Sequence, residues 1–149
     1  MKVEGTYEID ADVETVWRWL NDPEVLVKCI PGVESLTPTG EHTYDAAIKI
    51  SIGPVGGSYT GRVEVRDASP PHSYTLHIEG KGPGAFVSGD GRFRLSERDG
   101  GKTRVDVEGD AQIGGVFASV GQRMLGSGAR TLMNQFFDAL RKHAAAAKK

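Results

Sequence analysis

At 149 residues the chain has the length of one domain, enough to bury about two-thirds of its unfolded surface without staples. A formal net charge of -2 with both signs interspersed excludes the basic stripe that nucleic-acid binding asks for, and a single cysteine, Cys29, excludes an internal disulfide. No charged-then-apolar leader opens the sequence and no apolar run approaches the ~18 residues of a spanning helix, so a soluble, cytoplasmic protein is expected.

Lys2 to Ile9 alternates, with Val3, Gly5, Tyr7 and Ile9 on one face, and reads as a strand with one wet side. Asp10 or Asp12 then caps a short helix whose apolar stripe is Val13, Val16, Trp17 and Leu20. Asn21 or Asp22 caps a second helix that begins at Pro23, a residue favoured at the first helical position, and runs through about Lys28 before Pro31-Gly32. A weak strand follows at Val33 to Thr37. Thr43 to Ile52 alternates through Tyr44, Ala46, Ile48 and Ile50, breaks at Gly53-Pro54 and Gly56-Gly57, and pairs back as a hairpin with Tyr59 to Val65.

Asp67 to His72, with Pro70-Pro71 inside it, is the next turn, and Ser73 to Glu79 places Tyr74, Leu76 and Ile78 on one face. Gly80-Lys81-Gly82-Pro83-Gly84 reads as a loop. Strands from about Phe86 to Glu97 and from Thr103 to Ile113 turn through Asp99-Gly100-Gly101. The proline-free stretch Ile113 to Ala147 is predicted as one long helix, apolar at Ala129, Leu132, Met133, Phe136 and Leu140; projected backward, the same face carries Leu125, Gly121, Ala118 and Gly114. The expected fold is α+β: seven antiparallel strands in meander order, two short helices after the first strand and a long C-terminal helix over the dry face.

The inward positions of those strands pair small residues, Gly5, Ala46, Gly61, Gly89, Gly91, Gly109 and Ala111, with large ones, Tyr7, Tyr44, Tyr59, Phe93 and Ile113. Native interiors are close-packed, so space left by small side chains is closed by backbone approach at bends and bulges or is occupied by a ligand. The facing half of the helix is small as well, which favours an internal apolar cavity. Its mouth is expected near Gly82 to Val87, Gly53 to Gly57 and the helix start. The candidate ligand-binding residues are Tyr7, Ile50, Tyr59, Ile78, Val87, Phe93, Ile113, Phe117, Val120, Met124 and Leu125. Val116, Phe117, Val120 and Met124 also make a second apolar stripe, roughly 140° around the helix, that is either covered by loops or is a cavity lip or docking surface.

No catalytic residues emerge. His42, His72, His77 and His143 are scattered, with no i, i+4 pair, so no metal site is expected. Gly80-Lys81-Gly82-Pro83-Gly84-Ala85 fits a dinucleotide-binding pattern in letters but leads into a period-2 stretch, whereas that chemistry needs a helix N-terminus at the pyrophosphate. Tyr59 or Arg123 can be nominated as the acid or base a cyclase would require.

Several stretches, Val16-Trp17 with Asp22-Pro23, Ile30-Pro31-Gly32, Ile52-Gly53-Pro54, Pro70-Pro71 with Tyr74, Gly109 to Gly115, Gly121-Gln122-Arg123 and Gln135-Phe136-Phe137, resemble the CoxG subunit of carbon monoxide dehydrogenase. That family belongs to the START/Bet v 1-like superfamily, often labelled polyketide cyclase/dehydrase-like. The resemblance implies a helix-grip fold over residues 1–147, with a basic end at 148–149: a curved, incomplete sheet gripping the C-terminal helix around an apolar cavity. It also implies association with molybdenum-dependent carbon monoxide dehydrogenases, at recruitment to the cytoplasmic membrane or at assembly. No catalytic residue and no cofactor come with it. Some members extend beyond the helix; this sequence ends at Lys148-Lys149, so tail-mediated anchoring is not expected. Because a molybdenum hydroxylase must hand its electrons on, an isoprenoid quinone is a sensible apolar ligand, with lipid beside it. The alternatives are a small cyclase or dehydratase acting on an aromatic or polyketide substrate in the same cavity, and an adaptor with a filled core.

Overall fold

In the computed structural model, which describes residues 2–52, 55–82, 84–115 and 121–147, the alternation at the N-terminus becomes β1 (Lys2–Ile9). Its Tyr7 and Ile9 are buried while Lys2, Glu4, Thr6 and Glu8 face out. The cap of α1 (Val13–Leu20) is Asp12, whose Oδ1 accepts the Thr15 N–H at 3.2 Å. That of α2 (Pro23–Cys29) is Asp22, which accepts from the Glu24 N–H at 3.0 Å just ahead of Pro23. Each carboxylate satisfies an N–H that the first helical turn leaves free.

Six strands follow: β2 (Val33–Pro38), β3 (Thr43–Ile52), β4 (Val55–Ser69), β5 (Ser73–Gly82), β6 (Ala85–Arg98) and β7 (Lys102–Gly115). They form one antiparallel sheet in the order β1-β7-β6-β5-β4-β3-β2. The run from β2 to β7 is a meander, and β1 closes onto β7, so β1 and β2 are the edges. α3 (Gln122–Ala147) lies across the sheet, which completes a helix-grip arrangement.

Several expectations are corrected. Gly56-Gly57, read as a break, belongs to β4 and pairs with Ser51 and Ile50 of β3, and Asp67 to Ser69, read as part of a turn, still belong to β4. Gly80-Lys81-Gly82, read as a loop, continues β5 and pairs with Val87, Phe86 and Ala85. The C-terminal helix does not begin at Ile113. Ile113, Gly114 and Gly115 extend β7 against Val87, Phe86 and Ala85, and α3 starts at Gln122. The physical reason lies in the residues: Ile113 completes the period-2 series Val105, Val107, Gly109, Ala111, and glycine disfavours a helix by about 1 kcal/mol relative to alanine. Gly115 then ends the strand at φ +71, and any Cβ there would collide with the Gly84 carbonyl. Gly114 is therefore not on the helix; the Phe86 ring lies over it.

The packed core sits at one end. Ile9, Val13, Val16, Leu20, Leu95, Val105, Phe137, Leu140 and Ala144 are buried together, where α1 and the C-terminal half of α3 meet β1, β7 and β6. Tyr7 anchors the helix there. Its ring stacks on Phe137 with centroids 4.0 Å apart, its hydroxyl donates to Asn134 Oδ1 at 2.6 Å, and the Arg141 guanidinium lies 5.9 Å from its centroid. Among the described residues no helix is long and apolar enough to cross a membrane.

Candidate functional site

Strand register assembles a continuous inward face. Gly5 opposes Val107, Phe93 lies between Val107 and Tyr74, Leu76 opposes Val65, Val63 lies between Ile78 and Tyr44, and Ala46 opposes Leu36. Under the C-terminal half of α3 this face is filled. Under the other half it is not: Ile78 is in β5, the central strand, and faces the helix, yet 39% of its surface stays accessible. An inward isoleucine at the middle of a seven-stranded sheet keeps that area only if the helix stands off the sheet.

The space so left has two adjoining lobes that share Ile30, Leu36, Ile48, Val63, Ile78 and Leu132. The first, about 300 Å³, reaches toward the packed core between Leu26 and Pro31 near α2, Tyr44, Tyr74, Leu76 and Phe93 of the sheet, and Met133 and Phe136 of α3. The second, about 330 Å³, extends toward the opposite end between Tyr59, Gly61, Gly80, Val87, Ile113, Leu125 and Ala129. Each is at the lower end of the roughly 300–1,000 Å³ of small-molecule sites. The lining is almost wholly carbon, and no charged side chain borders the first lobe. Glu79 borders the second through its backbone position in β5, but its carboxylate lies on the other side of the sheet, 3.4 Å from His77 Nε2.

Of the candidate residues, Tyr59, Ile78, Val87, Ile113 and Leu125 border the second lobe, and Ile78 and Phe93 the first. Tyr7 is in the packed core, and Met124, 47% exposed, is on the outer side of α3. Phe117 and Val120, with Val116 of the second apolar stripe, lie outside the described residues, as does the side chain of Ile50. So do Gly53, Pro54 and Pro83 of the expected mouth. The residues shared by both lobes are not among the candidates apart from Ile78. Leu132 carries a signal, being on the sheet-facing row of α3; Ile30 and Leu36 carry none, because their place depends on how α2 and β2 fold over the sheet edge.

At Gly5, Gly61, Gly82 and Gly89 the room for a side chain is already taken by the protein itself. A Cβ on Gly89 would stand 2.6 Å from the Asp110 carbonyl oxygen, and one on Gly61 2.5 Å from that of Glu79, so both mark close backbone approach in a bent sheet. At Gly5 the room is taken by the Tyr7 ring and Met133 Cε, and at Gly82 by the Tyr59 ring. The unfilled volume comes instead from medium-sized side chains facing a helix held away from them.

A larger recess of about 760 Å³ lies on the outer face, where charged side chains (Asp45, Arg62, Lys81) mix with Ala47 and Phe86; it is open to solvent. Also outside is His77, whose Nδ1 is 2.8 Å from Asp90 Oδ1. The Asp90 carboxylate, helped by Glu79, raises the imidazole pKa above its ordinary value against the opposing effect of desolvation. Among the described residues no group of histidine, cysteine and acidic side chains could hold a metal ion.

Among solved structures, a conserved protein from Geobacillus kaustophilus is 37% identical, with a TM-score of 0.94 over 99% of this chain and 97% of that chain. A START superfamily protein from Mycobacterium smegmatis shares the fold at 16% identity, with a TM-score of 0.82 over 98% of each chain. The Zhui aromatase/cyclase from Streptomyces sp. R1128 does so at 16% identity, with a TM-score of 0.75 over 100% of this chain and 96% of that one. No curated protein matches the sequence. The sequence pattern of the carbon monoxide dehydrogenase CoxG subunit matches residues 5–145, and the chain belongs to that family.

Proposed function

We propose that the protein holds an apolar small molecule, a quinone or a lipid, between α3 and the sheet without transforming it. In doing so it serves a molybdenum-dependent enzyme of the carbon monoxide dehydrogenase type, at recruitment, assembly or electron transfer, in the cytoplasm and at the inner face of the membrane. The observation that carries the reading is the carbon-lined space beside Ile78, which a close-packed interior does not leave for nothing. The family name supports the partner. The lining also supports a carrier over a cyclase: among the described residues no carboxylate, imidazole or ammonium group is turned to either lobe, and burial holds the proton on the Tyr74 phenol, which can donate a hydrogen bond but is poorly suited to transfer a proton.

Gentle purification from the native host, organic extraction and mass spectrometry test it. A quinone or lipid recovered in near-stoichiometric amount is the expected result. An empty extract, with no binding of added quinone or lipid, would overturn the carrier reading.

A further inference from the structure

Tyr74 carries a group that the apolar reading leaves unused. It is 3% exposed, and its ring is held from two sides, stacked on Phe93 with centroids 4.9 Å apart and edge-on to Trp17 at 5.1 Å. Those contacts fix the ring and leave the hydroxyl unengaged. Among the described residues the Tyr74 oxygen has no hydrogen-bond partner, yet no buried side-chain oxygen or nitrogen is both sealed off and unpaired. Both hold together if the phenolic oxygen touches open space, and the space bordered by Tyr74 is the first lobe. A hydroxyl withdrawn from water without a partner is unfavourable, and phenylalanine would make the same stack without that cost.

We propose that the Tyr74 hydroxyl donates a hydrogen bond to an uncharged carbonyl oxygen of the bound molecule, which therefore enters oxygen-first, its head in the first lobe and its hydrocarbon tail in the second. This rests on the carrier reading and narrows it. Burial drives the phenol pKa far upward, so the group stays a donor. A plain hydrocarbon leaves that donor unpaired. A charged headgroup would enter a lobe without a charged side chain to meet it. The remaining class is a neutral carbonyl compound, from a quinone or from an ester.

The test compares wild type with Tyr74→Phe, using decylubiquinone, methyl palmitate and hexadecane. Quinone binding is read by tryptophan quenching, and the ester and alkane by competition against it. The expected result is a loss of about two- to tenfold, one neutral hydrogen bond, for a carbonyl ligand and none for hexadecane. Which ligand shows the loss identifies the source of the carbonyl. Equal affinities of the two proteins for both carbonyl ligands would overturn the hydrogen bond and leave the carrier intact, and so would an equal loss for all three ligands. Failure of wild type to bind any of them would instead overturn the carrier. Two measurements stand apart from ligand affinity in the variant. The carbonyl stretch of decylubiquinone on wild type is expected at lower wavenumber than in hexane, and an unmoved band would overturn the proposal. The ligand-free thermal midpoint of Tyr74→Phe is expected to equal or exceed that of wild type; a drop of several degrees would reveal a structural partner for the hydroxyl and overturn it as well.

Discussion

Ala129→Phe asks directly whether the space between α3 and the sheet is empty. Ala129 borders the second lobe, one turn after Leu125 and one before Leu132 on the same helical face. In a close-packed interface the added ring would push neighbours off their rotamers and cost about 1–3 kcal/mol. Here about 330 Å³ stands unfilled. Burying a phenylalanine side chain contributes about 1.5–3 kcal/mol. Its lower helix propensity and lost rotamer freedom together remove about 1–1.5 kcal/mol. The expected outcome is a stability unchanged or raised by up to about 2 kcal/mol, measured by urea unfolding of ligand-free protein with an unaltered slope. The ring should also occupy the tail's space and weaken decylubiquinone at least about tenfold. A variant destabilised by about 2 kcal/mol that still bound quinone normally would refute both the empty lobe and its role.

Other perturbations separate packing from cavity. Gly89→Ala should cost about 2 kcal/mol or more, since its Cβ would stand 2.6 Å from the Asp110 carbonyl oxygen. Gly109→Ala, whose nearest neighbour is 3.6 Å away, should stay within about 0.5 kcal/mol; urea midpoints of the two compare them. Tyr7→Phe keeps the stack on Phe137 and removes the 2.6 Å bond to Asn134, so about 1 kcal/mol should be lost in thermal unfolding. His77, its pKa raised by Asp90 and Glu79, contributes stability that is complete below about pH 6.5 and fades as pH rises through the higher folded value. The thermal midpoint should accordingly fall less between about pH 6 and 8 in His77→Gln than in wild type; equal slopes would contradict the Asp90 pairing.

Local rules carry much of the fold. The period of Lys2–Ile9 and Thr43–Ile52, and the Asp-then-proline start of α2, depend on neighbours in sequence, and the strand and helix bounds follow them. A 3.6-residue face projected through Gly114 and Gly115 misplaces the helix start, because β7 is still pairing with β6 there. Small residues point to a cavity, but Gly5, Gly61 and Gly89 are filled or closed by close contacts. What opens the space is the stand-off of α3, fixed at its far end by Tyr7, Phe137 and Asn134. That separation is a property of the assembled sheet and helix. No window of sequence contains it, so Ile30, Leu36 and Ile48 give no sign of bordering a common space. Tyr74 is legible as an inward residue, but its unpaired hydroxyl is not, because the partner that fails to appear is a matter of three-dimensional surroundings.

The most direct measurement is methyl NMR of the protein with decylubiquinone, observing intermolecular contacts to Ile78 and Leu132, with Val27 as the control. Ile78 and Val27 are each 39% accessible, but Val27 is on α2 and borders neither lobe. Contacts to the Ile78 and Leu132 methyls with Val27 silent are the predicted result. Contacts at Val27, or none at Ile78 when binding is saturated, would contradict a ligand held between α3 and the sheet.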